Sequence, residues 1–238
     1  MDRLYKESLT ILGISPEGVK KRLGDCGTEM KEPDCVSSAY GTTIRWNPGH
    51  ESGNIKLIER CCAPFVVPGD LSPARLLVQS ALRERALLVF AESCTGGLAG
   101  SMLTGIAGSS DVFWGSMVTY ANEAKERVLG VSCIPAHGAV SEATVKAMAQ
   151  GAIELSGASA ALAVSGIAGP GGGTPDKPVG TVWFAFMYRE KMQTLQCVFS
   201  GKRAQVRRKA AAVALAGLAN QIDGALLDTE WIADYTCY

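Results

Sequence analysis

The sequence predicts an α/β protein: a mostly parallel, mixed sheet covered by helices on both faces, with an antiparallel hairpin at one side and a small α+β segment in front. Three observations predict it. From residue 71 onward, short apolar runs such as "LLVFAES" and "AALAVSG" alternate with stretches of helical period, the pattern of strands joined by crossover helices. Two more apolar runs, "VGTVWFAFMY" and "MQTLQCVFS", follow one another across only "REK", too short a link for a crossover and right for a hairpin. The composition also changes near residue 70, from polar and irregular to apolar and periodic. That divides the chain into 1–70, 71–223 and a tail, 224–238, with no readable pattern.

Taken in order, "SPEGVKKRLGD" (15–25) predicts a short helix with Ser15 as cap and Pro16 in its first turn. "SSAYGTTIRWN" (37–47) predicts a strand and "NIKLIERCCAPFVVPGD" (54–70) a second strand region. Beyond residue 70, "LSPARLLVQSALRERA" opens as a Ser-Pro helix, "LLVFAES" is a buried strand, and "GGLAGSMLTGIAG" is a helix closing at glycine. "VFWGSMVTY" is the next strand, and "NEAKERVLGV" a helix capped by Asn122. "SEATVKAMAQGAIELSGA" carries Val145, Met148, Ala149, Ala152 and Ile153 on one face behind a Ser141 cap. "KRAQVRRKAAAVALAGLANQI" is the last long helix, with Ala211, Leu215, Leu218 and Ile222 as its core stripe.

Charge and cysteine usage exclude several function classes. The formal net charge is +0, so nothing draws the whole chain to nucleic acid. No apolar stretch nears the roughly 20 residues that span a bilayer, and the first residues lack a secretory signal pattern. The expectation is a cytoplasmic protein with no membrane contact. The 8 cysteines form no CxxC pair. Cys26, Cys35, Cys61 and Cys62 fit no zinc spacing, so reduced thiols and no metal are expected.

Ligands of such folds gather at the carboxyl ends of the strands, and three loops there carry polar residues. In "AESCTGG" the strand is expected to end at Glu92 and the helix to begin near Gly96. Ser93 then stands on a sharp turn before free helix N–H groups, which can bind an oxyanion or a phosphate. Ser93 is a nucleophile there, or Ser93 or Thr95 is simply the helix cap. In "VTYANEAK", Tyr120 closes a strand and Lys125 lies in the first helical turn, where the dipole and any burial lower a lysine pKa. Lys125 is a general base, or an exposed lysine paired with Glu126 or a neighbour. In "SGIAGPGGGTPDKPVG" (165–180), glycines at 169 and 171–173 allow backbone N–H groups close to a phosphate, with Lys177 adding charge, or else form a long turn. No GK[ST] follows, so it is not a Walker loop. "GKRAQVRRK" places five cations at a helix start, with Arg203 nearest the end and the expected anion contact. His137 is expected to be structural or to face substrate. A serine with lysine, tyrosine or both is better supplied here than a Ser-His-Asp triad.

The stretches "AESCTGGL", "GSSDVFWGSMVTYANEAKERVLGV", "HGAVSE" and "SGIAGPGGGTPDKPVGTVWFAF" together resemble the CinA carboxy-terminal domain family, the nicotinamide-nucleotide amidases, from about residue 71 to about 222. The resemblance implies a three-layer α/β/α sandwich, a homodimer, no metal or organic cofactor, and hydrolysis of nicotinamide mononucleotide to nicotinate mononucleotide and ammonia. It implies Ser93 as the active-site serine, with Tyr120 and Lys125 beside it. Cys94, Thr95 and Gly96 would supply substrate-binding backbone. Ser165, Gly166, Gly169 and Gly171 lie in its glycine-rich loop, and Arg203 matches the arginine of a "GDR" segment. Here that segment reads Gly-Lys-Arg, with Lys202 where the family has an acid. "LTILGISPEGVKKRLGD" and "VSSAYGTTIRWN" are similar to the middle domain of full-length CinA. Nothing resembles its further pyrophosphatase-linked domain, so that activity is not expected here. Two other readings are a non-catalytic nucleotide-binding or interaction module of the competence/damage-inducible kind, and a Ser/Lys hydrolase of the penicillin-binding kind. Gly96 argues against the last, because an SxxK motif needs lysine there.

Overall fold

The computed structural model describes residues 72–224 without interruption and, before them, residues 8–12, 16–25, 34–37, 41–45, 58 and 66–68. The predicted Ser15 cap, the cysteines at 26, 61 and 62, and the tail beyond 224 lie outside the described residues.

The first unit holds β1 (Ser8–Leu12), α1 (Pro16–Asp25), β2 (Asp34–Ser37), β3 (Gly41–Arg45) and β4 (Val66–Pro68). Its antiparallel sheet has the order β2-β3-β1-β4. Two expectations change. The single strand expected over 37–47 is the second arm of a pair, since Asp34–Ser37 runs antiparallel to Thr42–Arg45. Of the strand region expected over 54–70, the described residues show a strand at Val66–Pro68. β1, which the sequence reading missed, is a central strand. Leu9 and Ile11 are buried, while Thr10 Oγ1 meets Thr43 Oγ1 at 3.0 Å on the other face, the alternation of a half-buried strand.

The second unit runs α2 (Pro73–Glu84), β5 (Leu88–Glu92), α3 (Leu98–Thr104), β6 (Phe113–Val118), α4 (Asn122–Leu129), α5 (Ile134–His137), α6 (Glu142–Ser156), β7 (Ala160–Gly166), β8 (Thr181–Tyr188), β9 (Lys191–Val198) and α7 (Arg203–Ile222). The sheet order is β6-β5-β7-β8-β9. β5 pairs in parallel with β6 and β7, and the β8–β9 hairpin adds two antiparallel pairings. Four of the five strands therefore share one direction and only β8 is reversed, the mixed sheet expected from the sequence.

Alternation along the strands makes three layers. Leu88, Phe90, Leu162, Val164, Phe184 and Phe186 face α2, α3 and α7, while Val89, Ala91, Ala161, Ala163 and Ala185 face the side of α4 and α6. The second face is built of small residues, so α6 lies close against it through Val145, Met148, Ala149 and Ala152. Ser72 and Ser141 cap their helices as expected, accepting from the N–H groups of Arg75 and Thr144. Asn122 does not cap: it is the first helical residue, after Ala121. No helix among the described residues is long and apolar enough to cross a membrane.

Candidate active site

The strand order β6-β5-β7 makes the chain leave β5 to one side and return on the other, so a topological switch point lies between β5 and β7. Ser93 stands there. The parallel ladder continues one residue past the strand ends, with Thr119 N–H donating to Glu92 O and Ser93 N–H to Val164 O, both at 2.9 Å. Thr119, Ser93 and Ser165 are thus neighbours in one row across three strand ends.

The turn that carries Ser93 is held from both sides. Its N–H and C=O groups are engaged, the latter by Gly96 N–H at 3.0 Å. Its side chain is 8% exposed, and no hydrogen bond engages Oγ among the described residues. The helix starts at Leu98, two residues later than expected, and neither Ser93 nor Thr95 caps it. Glu92 does so from inside the strand. Its buried carboxylate accepts from Ala99 N–H at 3.1 Å, Gly100 N–H at 2.8 Å and Ser116 Oγ at 2.8 Å. A carboxylate at a helix start is favoured by the free N–H groups and the dipole. This corrects the expected oxyanion site. The N–H groups of Ala99 and Gly100 belong to Glu92, and that of Gly96 belongs to the turn. Those of Cys94 and Thr95 have no main-chain acceptor among the described residues. On the other side, Arg207 Nε and Nη2 donate to the carbonyls of Cys94 (3.2 Å) and Thr95 (2.6 Å). Burial, with Glu92 nearby, pushes the Cys94 thiol up to about 12. It stays protonated and gives the site backbone, not a nucleophile.

Lys125 is 1% exposed, not paired on the surface; the pair on that helix is Arg127 with Glu123 at 2.7 Å. Its Nζ reaches back over the helix start to donate to the carbonyls of Thr119 (2.9 Å) and Tyr120 (3.0 Å). Burial lowers its pKa, opposed by the nearby Cys94 sulfur. No carboxylate among the described residues neutralises it. A route from Lys125 through the Tyr120 phenol is not what the geometry offers. Lys125 meets the tyrosine's carbonyl, while the exposed phenol oxygen accepts from Arg203 Nη2 at 2.9 Å.

Arg203, the first residue of α7, also donates through Nη1 to Gly169 O at 2.9 Å. It ties the end of β6 to the glycine-rich loop and still has N–H donors to spare. Ser165 Oγ is spent on Ala139 O at 2.7 Å. Gly166 serves strand packing, since a Cβ there would come within 2.7 Å of Thr181 O. Gly169 combines a φ of +80° with a close approach to Val179, 2.6 Å from a would-be Cβ, while Gly171 faces open space. Lys177 is not a free charge. Its Nζ donates to Val140 O at 2.9 Å and, more weakly, to His137 O at 3.5 Å. The His137 side chain is exposed at the end of α5.

Two buried hydroxyls at this edge, Thr95 Oγ1 and Thr119 Oγ1, have no partner among the described residues. Leaving a buried hydroxyl unpaired costs about 1–3 kcal/mol, and such costs collect where a ligand or water completes the bonding. No group of three His, Cys, Asp or Glu side chains among the described residues has the arrangement to hold a metal ion.

Residues 71–222 match the CinA C-terminal domain. The chain belongs to the CinA C-terminal domain family. It is 44% identical over 171 residues to a CinA-like protein of Akkermansia muciniphila, covering 71% of this chain and 41% of that one. It is 38% identical over 222 residues to a CinA-like protein of Geobacter metallireducens, covering 87% and 54%. The chain thus spans about half the length of these curated relatives. Among solved structures, a CinA superfamily protein of Klebsiella pneumoniae superposes with TM-score 0.62 at 36% identity, covering 64% of this chain and 96% of that one. A competence/damage inducible protein of Agrobacterium tumefaciens does so with TM-score 0.61 at 39% identity, covering 63% and 93%.

Within this CinA domain, Glu92, Arg207 and Thr119 were missed by the sequence reading. Glu92 reads as the polar end of an apolar strand. The one available signal was its spacing of seven and eight residues from a helix start. Arg207 sits in a cation run beside neighbours that bind locally: Arg208 Nε donates to Ala204 O and Lys209 Nζ to Ser200 O. Nothing local marks it as the one that reaches back 113 residues to Cys94.

Proposed function

We propose that this CinA-family chain is a nicotinamide-nucleotide amidase, hydrolysing the carboxamide of nicotinamide mononucleotide to nicotinate mononucleotide and ammonia. The observation that carries the reading is Lys125. It is a buried lysine with a lowered pKa, bonded among the described residues to two main-chain carbonyls, and it lies one strand from a serine whose hydroxyl has no hydrogen bond among those residues. Such a lysine is fitted to accept a proton. Ser93 Oγ attacks the amide carbon and its proton passes to Lys125. The N–H groups of Cys94 and Thr95 hold the oxyanion. Ammonia leaves with the proton, and water hydrolyses the acyl-Ser93 ester. The remaining donors of Arg203, with the open backbone around Gly171, hold the 5′-phosphate. That remote binding positions the amide, so free nicotinamide is a poor substrate.

Incubation of the purified protein with nicotinamide mononucleotide, measuring ammonia and nicotinate mononucleotide, tests this directly. Ser93→Ala is expected to lose activity by about ten-thousand-fold or more with an unchanged circular dichroism spectrum. A wild-type protein that binds the nucleotide without releasing ammonia favours the second reading, a non-catalytic binding module of the competence/damage-inducible kind named among the relatives.

A further inference from the structure

The geometry points to Thr119 as the residue that holds the hydrolytic water against acylated Ser93, an inference that rests on the amidase reading above. Thr119 is the cross-strand neighbour of Ser93: Glu92 pairs with Val118, and Thr119 N–H continues the ladder onto Glu92 O at 2.9 Å. Adjacent strands lie about 4.8 Å apart. Side chains alternate between the faces of a sheet. Ala91, Met117 and Ala163 pack on the α4–α6 side, and two residues on, Ser93, Thr119 and Ser165 return to that side.

The three hydroxyls of this row have different fates. Ser165 Oγ is committed to Ala139 O, and Ser93 Oγ becomes the ester oxygen. Thr119 is 2% exposed, and of the three its Oγ1 is the one left fully buried with no partner among the described residues. Its main chain is fully used, the N–H by Glu92 O and the carbonyl by Lys125 Nζ at 2.9 Å. The residue is fixed by its backbone while its hydroxyl is left to bond something else. Whatever Oγ1 binds lies beside both the nucleophile and the base. After ammonia has left, one further reactant is needed there, a water molecule. Its oxygen forms the new bond to the acyl carbon and the bond from that carbon to Ser93 Oγ breaks. One water proton passes to Lys125 Nζ and then to Ser93 Oγ. Thr119 Oγ1 bonds the water throughout and exchanges no proton, so it is a positioning residue for the second half of the reaction.

The test separates the two halves by rapid mixing of wild type, Thr119→Val and Thr119→Ser with nicotinamide mononucleotide. Thr119→Val should release about one ammonia per site at nearly the wild-type rate and then turn over about 100-fold more slowly. A nicotinoyl-nucleotide adduct should accumulate on Ser93, visible by mass spectrometry. Hydroxylamine, a nucleophile that needs no held water, should restore turnover as hydroxamate, and Thr119→Ser should behave as wild type. A merely structural role would slow both halves together and give no adduct. Thr119→Ala replaces the valine variant if circular dichroism shows that the latter is unfolded. Wild-type turnover in Thr119→Val, or a loss of the ammonia burst itself, overturns the inference and leaves the amidase reading standing. A wild-type protein that releases no ammonia overturns both.

Discussion

The turn after β5 and the loop after β7 stand side by side at one edge of the sheet, and they are held in opposite ways. Every residue from Ala91 to Thr95 is buried. The β5 turn is fixed at both ends by buried or part-buried charge, Glu92 on the N–H groups of α3 and Arg207 on the carbonyls of Cys94 and Thr95. The β7 loop is exposed from Pro170 to Asp176. It is tied at two points, Arg203 to Gly169 O and Lys177 to Val140 O. One helix, α7, supplies a guanidinium to each. The difference fits a division of labour. Chemistry needs its nucleophile held to a fraction of an ångström, whereas a loop that receives a phosphate works by backbone that can close around it.

The strongest way to break that comparison is at Lys125, which belongs to the rigid side. Lys125→Met and Lys125→Arg should each lower kcat by about 10²–10⁴-fold, the usual worth of a general base, because arginine keeps the charge and cannot release a proton. Arginine that retains most of the activity would make Lys125 an electrostatic clamp instead. The sign of the pH effect is fixed by the direction of its shift. Burial lowers the folded-state pKa, so between that value and about 10.4 the unfolded chain binds more protons than the folded one. The contribution of Lys125 to stability therefore rises with pH across that window and is smallest below it. Urea unfolding at several pH values from about 7 to about 10 should show wild type gaining on Lys125→Met as pH rises. The rate constant kcat/KM should rise along a limb that lies below about 10.4 and disappears in the methionine variant.

Next in size is Glu92→Gln. The amide can accept on one side only, and its NH2 group then faces an N–H donor of α3. Loss of charge-assisted bonds at a buried helix start should cost about 2–3 kcal/mol, a fall in Tm of roughly 4–12 °C for a domain of this size. If the β5 turn depends on that anchor, kcat falls as well; an unchanged kcat with a lower Tm would show that Arg207 alone suffices.

The exposed side gives a smaller and different signature. Lys177→Met removes the tie between the glycine-rich loop and the segment before α6. Stability should change by no more than about 1 kcal/mol, the net worth of one such bond. The effect belongs in KM, raised about three- to tenfold with kcat nearly constant, because a loosened loop removes uniform binding and not transition-state contacts. A fall in kcat as large as that in Glu92→Gln would erase the distinction between the two loops.

The two loops were also unequally legible in the sequence. Ser93, Lys125 and Arg203 stood out because each is a reactive or charged residue at the end of an apolar run or at a helix start. The alternation of short strands and amphipathic helices made the layers of 72–224 readable for the same reason. Glu92 and Arg207 were not legible, because their meaning lies in partners that folding alone brings close. Arg207 meets Cys94 across 113 residues and Ser116 meets Glu92 across 24. β1 was missed because five residues in a polar neighbourhood give too short a period to count. Lys177 has the local look of a ligand charge, a lysine in a glycine-rich loop, while its carbonyl partners are the last residue of α5 and Val140 in the segment before α6.

Lys202 directly precedes Arg203 at the start of α7 and gives the finest test. It is the N-cap of that helix, a position where Asp, Asn, Ser and Thr are favoured because an oxygen can accept from the free N–H groups. An ammonium has no lone pair to offer, so only the reciprocal bond is made here, from Lys202 N–H to Gln205 Oε1 at 2.8 Å. The cation also opposes the helix dipole, alongside Arg203 in the first turn. Lys202→Asp should therefore stabilise the chain by about 1 kcal/mol, raising Tm by about 2–4 °C. Its carboxylate would lie beside the proposed phosphate contact at Arg203, so KM should rise up to about threefold at low salt and return toward wild type as screening shortens the Debye length. The two effects have different origins and separate cleanly: the gain in Tm comes mainly from the cap bond and survives in high salt, while the change in KM does not. A Tm gain with no change in KM at any ionic strength would place the phosphate away from the start of α7, and with it the role given to Arg203.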